Sequence, residues 1–320
     1  MRIGEFYRKC IAAGIAADPR GKKGVSELLN REKKSYEKLE KYEKDHYDLE
    51  RLKNPYADVR ILWGDEKKTI KRIMVGIDAL GPEIMLASEL GRVGRKVDLV
   101  LSHHPAGLAL KKLPDVMDIH TEQWIRFGVP PHIAQSLTDE RVEWAVREFH
   151  VRNTDAPVDI ARLVGMPLMC CHTAADNNAA NYLQKKIDKA KPRTVGDTLE
   201  LVRDEPEYRH QAKLQAPAMI IAGKKDNRCG KVFVEMTGGI MPKDEAISEL
   251  SKRGISTLVV MHMPEKSVEK AKEEKINVIL AGHMASDTLG MNLVLDSVLQ
   301  RDVEVLECAG FKRLERSRRK

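Results

Sequence analysis

The chain has 320 residues, 42% hydrophobic and only 5% aromatic, enough for two modest domains around a mainly aliphatic core. No stretch approaches the roughly 20 consecutive apolar residues of a membrane span, and no amino-terminal run resembles a signal peptide, so a cytoplasmic protein is expected. The net charge of +7 does not indicate a nucleic-acid partner, because the last ten residues, FKRLERSRRK, contribute +5 of it as a solvated end, without an aromatic-rich face.

Residues 1–57 read as a helical extension. Ile3 to Ala17 carries apolar residues at helical spacing and stops at Asp18-Pro19. From Ser26 to about Leu52 the composition is helix-forming, and its dense mixed charge supports spaced ion pairs. An apolar line (Leu29, Tyr36, Leu39, Tyr42, Leu49, Leu52) packs on the body or on a neighbouring subunit. Beyond Asn54-Pro55 the pattern alternates: Lys71–Ala79 is a strand, Pro82–Gly91 a helix and Val97–Ser102 a strand, together a βαβ unit. Residues 107–165 are mostly helical, clearest at Thr121–Phe127 and Asp139–Phe149. They read as an insertion near a cleft mouth or as cover over a sheet edge. Its histidines, His120, His132 and His150, show no metal pairing and are expected at the surface.

The apolar run Met166–Cys171 is a further strand, followed by a helix from Asn177 to Lys189. Five cysteines without a Cys-x-x-Cys spacing read as reduced thiols, with Cys170 and Cys171 as buried strand residues. Arg193 to Asp226 includes Thr198–Val202 and a strand, Ala218–Ala222. Past the turn-rich Lys224–Asn227, Lys231–Met236 is expected as its antiparallel partner. Thr237-Gly238-Gly239 with Arg228 and Lys231 would receive an anion, or else simply form a tight turn before a Glu245–Arg253 helix. Thr257–Met263 and Asn277–Ala281 are strands around a charged helix, Lys266–Lys275, and His262 ends the first of them within reach of a cleft. A Leu289–Gln300 helix and a Val303–Cys308 strand complete the pattern.

Three of these strands end in ligand-type residues: Leu-Ser-His103-His104-Pro105, Cys-His172-Thr-Ala-Ala-Asp176 and Ala-Gly-His283-Met-Ala-Ser-Asp287. Open α/β sheets present functional groups at the carboxyl ends of their strands. Alone, His-His-Pro reads as a loop or a satisfied core histidine, and the other two motifs as helix starts, with Thr173, Asp176 or Asp287 favouring the helix terminus. Three together suit a pair of divalent ions, roughly 3.5–4 Å apart, better than a packing role. His103 then serves one ion and His104 the other. The four-residue step from His283 to Asp287 places both on one helix face, where a carboxylate can bridge, and Asp176 completes the second ion. Nitrogen and oxygen donors favour Zn, Fe, Mn, Co or Ni. Two ions against two aspartates leave a positive field that favours hydroxide, phosphate or another anion.

In this order the motifs resemble the NGG-interacting factor three family, whose members are often described as GTP cyclohydrolase type 2 homologues. The family pattern is a strand ending in His-His-Pro, then His-Thr-x-x-Asp, then Gly-His with an acidic residue four positions on. Val75-Gly-Ile-Asp78 resembles its early strand, and similarity runs from roughly Arg60 to Gly310 with an interruption near 110–165. The resemblance implies metal ligands His103, His104, Asp176, His283 and Asp287, with His172 beside them. The family usually has Glu at the position of Asp287, so whether this shorter arm bridges both ions is open. The implied fold is a two-lobed α/β subunit with mixed sheets and a dinuclear metal cleft, often a hexameric ring. On this chain the lobes fall at 58–190 and 191–287, with 288–320 returning to the first.

The expected function is that of a dinuclear metal-dependent hydrolase acting on a nucleotide, a phosphoester or a purine ring. Its cofactor is two divalent ions, its candidate general base is His172, and its partners are further copies of itself and a small anionic substrate; no substrate-binding residue is assigned. The alternative is a non-enzymatic, ring-shaped metal-binding or regulatory scaffold.

Overall fold

Ile3, Phe6, Tyr7, Cys10 and Ile11 recur at helical spacing, and burying that stripe makes α1 (Ile3–Ala17), which ends before Pro19. The computed structural model describes residues 1–240 and 244–316. The next expected helix, Ser26 to Leu52, is three pieces: α2 (Gly21–Glu37), α3 (Lys41–Asp45) and a 3₁₀ turn at Leu49–Leu52. The apolar line was too weak to hold one rod. Tyr42 and Leu49 are 76% and 57% exposed, and the chain folds back so that Tyr47 and Arg51 both bond Glu32, at 2.7 and 3.0 Å.

In the first lobe follow β1 (Val59–Trp63), β2 (Arg72–Gly76), α4 (Gly81–Arg92) and β3 (Leu99–Ser102). The helical segment comprises α5 (Gly107–Lys111), α6 (Asp118–Arg126), α7 (Pro131–His150) and α8 (Ala156–Val164). It leads into β4 (Leu168–Cys171) and α9 (Thr173–Ala190). The second lobe holds α10 (Val195–Arg203), α11 (Pro206–Lys213), β5 (Met219–Ala222), β6 (Lys231–Glu235), α12 (Asp244–Lys252), β7 (Ile255–Val260), α13 (Glu265–Glu273) and β8 (Asn277–Leu280). Then come α14 (His283–Val298) and β9 (Glu304–Glu307).

The first sheet has the order β1-β4-β3-β2-β9, parallel except for β1, a strand that the sequence pattern did not signal. The strands β3 and β4 are buried throughout, as helices on both faces of a parallel sheet require. The second sheet is β5-β8-β7-β6, with β5 antiparallel to β8. The expected β5–β6 hairpin is therefore absent, and the two strands form opposite edges. Their connection is drawn away from a hairpin: Asn227 and Lys225 carbonyls accept from Val195 and Gly196 at the start of α10, and Asn227 bonds Asn277 at 2.8 Å.

Helices α9 and α14 touch. A Cβ on Gly290 would stand 2.4 Å from the Ala175 carbonyl oxygen, so only glycine lets the helices meet there. The basic tail is not a solvated end as far as Arg316. Phe311 is buried, Arg313 pairs with Asp296 at 2.5 Å, and Arg316 reaches buried Glu207 and Glu205 at 2.6 and 3.2 Å. These acids lie in a partly desolvated recess where paired guanidinium is favoured. Residues 317–320 lie outside the described residues. Among the described residues no helix is long and apolar enough to cross a membrane.

Candidate metal centre

Each site residue sits where a parallel strand ends. Beyond β3, His103 and His104 continue the ladder, their N–H groups donating to the Gly76 and Ile77 carbonyls at 2.9 Å. His172 links β4 to α9, and Asp176 lies in that helix's first turn. His283 opens α14 directly after β8, and Asp287 follows one turn later. The two sheets thus deliver two copies of one local device, a histidine and an aspartate at i and i+4 on a helix start.

The structure brings His103, His104, His172, Asp176, His283 and Asp287 to one point. His103, Asp176 and Asp287 form one convergent group, His104, His283 and Asp287 a second, and His103, His104 and His172 a third, with donor atoms within 4.8 Å in each. Asp287 Oδ1 stands 3.5 Å from His103 Nε2, while its Oδ2 stands 3.5 and 3.4 Å from His104 and His283 Nε2. His103 Nε2 is 3.4 Å from Asp176 Oδ1, and His172 Nε2 is 3.7 Å from Asp176 Oδ2.

These are not hydrogen bonds that satisfy a core. Both oxygens of Asp287, Asp176 Oδ1 and His103 Nε2 are buried without a partner among the described residues. Two donors about 2.1 Å from a shared ion stand roughly 3.0–3.4 Å apart for octahedral or tetrahedral angles, close to the separations found here. The outer nitrogens are already spent. His104 Nδ1 donates to Asp78 at 2.7 Å, His172 Nδ1 to Asp58 at 2.8 Å and His103 Nδ1 to the Cys171 carbonyl at 3.3 Å. That fixes the tautomers and leaves the Nε2 lone pairs facing inward, the support that metal-ligating imidazoles receive. Donor set and orphaned atoms therefore fit a metal.

Charge is distributed unevenly. Burial pushes the His103 imidazole down to about 4 and the Asp176 carboxyl up to about 7. Burial would lower His172 too, but Asp176 and Asp58 outweigh it and carry it up to about 9. Burial opposes ionisation of Asp287, yet the surrounding histidines, led by His103, hold it well below the usual carboxylate range.

Four acidic or imidazole groups were missed. Asp78 lies in the early strand already noted, and Asp58 precedes a strand with no pattern to mark it. His120, expected at the surface, is buried with Nδ1 3.2 Å from Glu235 Oε1. The isolated spacing of His120 hid this, because its partner is 115 residues away, at the end of β6. His132 and His150 are exposed. The glycine pair does not meet Arg228 and Lys231, which stand at the opposite end of β6, roughly 16 Å away along a five-residue strand. Gly238 and Gly239 instead admit the His120 ring and Leu113.

Fold and site together define a two-lobed α/β protein with a buried histidine–aspartate cluster able to hold metal. No family model matches the chain, and no curated protein does. Among solved structures it is similar to the NIF3 superfamily protein of Sphaerobacter thermophilus, with a TM-score of 0.72 and 26% identity over 81% of this chain and 94% of that one. Reduced HcgD from Methanocaldococcus jannaschii follows at 0.48 and 16%, covering 78% and 88%. A Bacillus cereus protein related to NIF3 stands at 0.41 and 11%, covering 78% and 91%. The chain has the fold of the NIF3-like proteins, and its likeness to the Sphaerobacter protein supports that family. None of these three names states a reaction.

Proposed function

We propose that the protein is a dinuclear metal-dependent hydrolase that cleaves a phosphoester, a nucleotide or a purine-type ring. The observation that carries this is Asp287, whose two unpartnered oxygens face two different histidine groups. In this reading His103, Asp176 and Asp287 would hold one ion, and His104, His283 and Asp287 the other. Divalent metal held there would supply Lewis acidity, lowering the pKa of a nearby water toward roughly 7. His172, its Nδ1 tied to Asp58, turns Nε2 toward the cluster, where it takes or gives a proton. A substrate enters past His104 and His283, whose side chains are 28% and 42% exposed. The reading includes a ring of six copies, as the resemblance implies.

One observation favours the non-enzymatic alternative of a metal-holding scaffold: the cavity beside the cluster has a volume of only about 40 Å³. Metal-loaded and metal-stripped protein assayed on a panel of nucleotides and phosphodiesters separates the two. Metal-dependent turnover is expected, and its absence at two ions per chain refutes the hydrolase.

Proton linkage gives a further expected result. His172 and Asp176 hold protons up to about pH 9 and 7 in the metal-free protein and must release them before facing an ion. Apparent metal affinity therefore rises with pH from about 6 to 9, measurable by competition with a chromophoric chelator. An affinity that is flat or falling across that range contradicts this assignment.

A further inference from the structure

We propose that Glu235, oriented by His120, is in place of His172 the proton acceptor for the attacking water, an assignment that rests on the hydrolytic reading above. Glu235 ends β6, is buried, and has no hydrogen-bond partner for either carboxylate oxygen among the described residues. A carboxylate so placed is costly to keep unless something in the site uses it. His120 comes from α6, in the segment between the first two ligand motifs. Its ring lies between two acceptors, with Nε2 2.9 Å from the Ile240 carbonyl and Nδ1 3.2 Å from Glu235 Oε1. Trp124 stacks on the ring at 5.5 Å. The backbone makes room for this ring: Gly238 has φ +93°, and a Cβ there would lie 2.4 Å from His120 Nε2.

The location gives the pair a task. Glu235 and His120 line one cavity of about 40 Å³ together with His172, Asp176, His262 and His283. A water needs about 10–15 Å³ of such space, so this cavity admits at least one. Glu235 therefore faces the same cavity as the cluster, yet it belongs to none of the three convergent ligand groups. The titratable groups around it are His120 from α6, His172 and Asp176 at the start of α9, His262 past β7 and His283 at the start of α14.

In hydrolysis of a phosphodiester, the water oxygen bonds to phosphorus while its O–H bond breaks and the proton passes to Glu235. The phosphorus–oxygen bond to the leaving group breaks, the electron pair stays on the leaving oxygen, and that oxygen takes the proton back from Glu235. His120 is a positioning residue.

The test uses the full metal-loaded chain, with bis(4-nitrophenyl) phosphate as the probe from pH 5 to 10, and metal per chain and thermal unfolding as independent readouts. Glu235→Gln is expected to keep the wild-type metal count, lose about 100-fold or more of kcat and lose the acidic limb of the pH profile. Should that variant fail to fold, Glu235→Asp keeps the acceptor on a shorter arm, so a reduced kcat with the acidic limb retained is expected, and unchanged kcat overturns the assignment. His120→Gln is expected to lose less rate and to shift the limb. A Glu235→Gln protein with wild-type rate and profile, or one that has lost metal, overturns the role of Glu235 alone. Wild-type protein that holds two ions and cleaves no probe overturns the hydrolytic reading itself, and this assignment with it.

Discussion

Asp287→Ala is expected to abolish binding of both ions, whereas Asp176→Ala removes only one. Asp287 is the residue shared by the two ligand groups, with Oδ1 toward His103 and Oδ2 toward His104 and His283. Truncating it leaves each group two donors, below the three protein ligands typical of an open catalytic site. At metal concentrations that saturate wild type, elemental analysis should find about two ions per chain fall to near zero for Asp287→Ala and to about one for Asp176→Ala. Asp287→Asn preserves shape without charge and should behave like the alanine variant. Asp287→Glu should hold two ions again, since a carboxylate one methylene longer still presents two oxygens. Equal loss of one ion in both alanine variants would mean that Asp287 serves a single site.

The second large effect is expected at a residue that holds no metal. Asp58 is fully buried ahead of β1, and its Oδ2 accepts from His172 Nδ1 at 2.8 Å, Thr173 N at 3.2 Å and Thr173 Oγ1 at 2.6 Å. It thereby ties the neighbouring edge of the sheet to the start of α9 and sets the direction of His172. Asp58→Ala strands three buried donors, at about 1–3 kcal/mol for each one left unsatisfied, so a loss of about 3 kcal/mol or more is expected by urea unfolding of the metal-free protein. Metal affinity should fall about 10- to 100-fold as well, the usual consequence of removing such a supporting carboxylate. Asp58→Asn, which still accepts hydrogen bonds, should recover most of the stability and less of the affinity. Unchanged affinity in a destabilised Asp58→Ala chain would make Asp58 a purely structural anchor.

These residues also mark how far the sequence reads. His103, His104, His172, Asp176, His283 and Asp287 were legible because each stands immediately past an apolar run, and strand ends are where an α/β sheet gathers its functional groups. Asp58 and Asp78 were not, because a supporting carboxylate needs no spacing relative to the imidazole it orients; only the fold places Asp58 across from His172, 114 residues away. The same holds for His120 and Glu235, which meet across two elements with no local pattern. Among the secondary structure, β5 and β6 were found but mispaired, since a turn-rich connector does not reveal that α10 and Asn277 consume its hydrogen bonds. The tail was misjudged by composition: its arginines look solvated until Glu205, Glu207 and Asp296 are seen beside them.

The central claim is that Asp287 joins two metal positions. Anomalous diffraction from crystals of the metal-loaded protein tests it most directly. Two peaks are expected roughly 3.5–4 Å apart, one among His103, Asp176 and Asp287 Oδ1 and the other among His104, His283 and Asp287 Oδ2. A single peak, or two that Asp287 does not link, would contradict it.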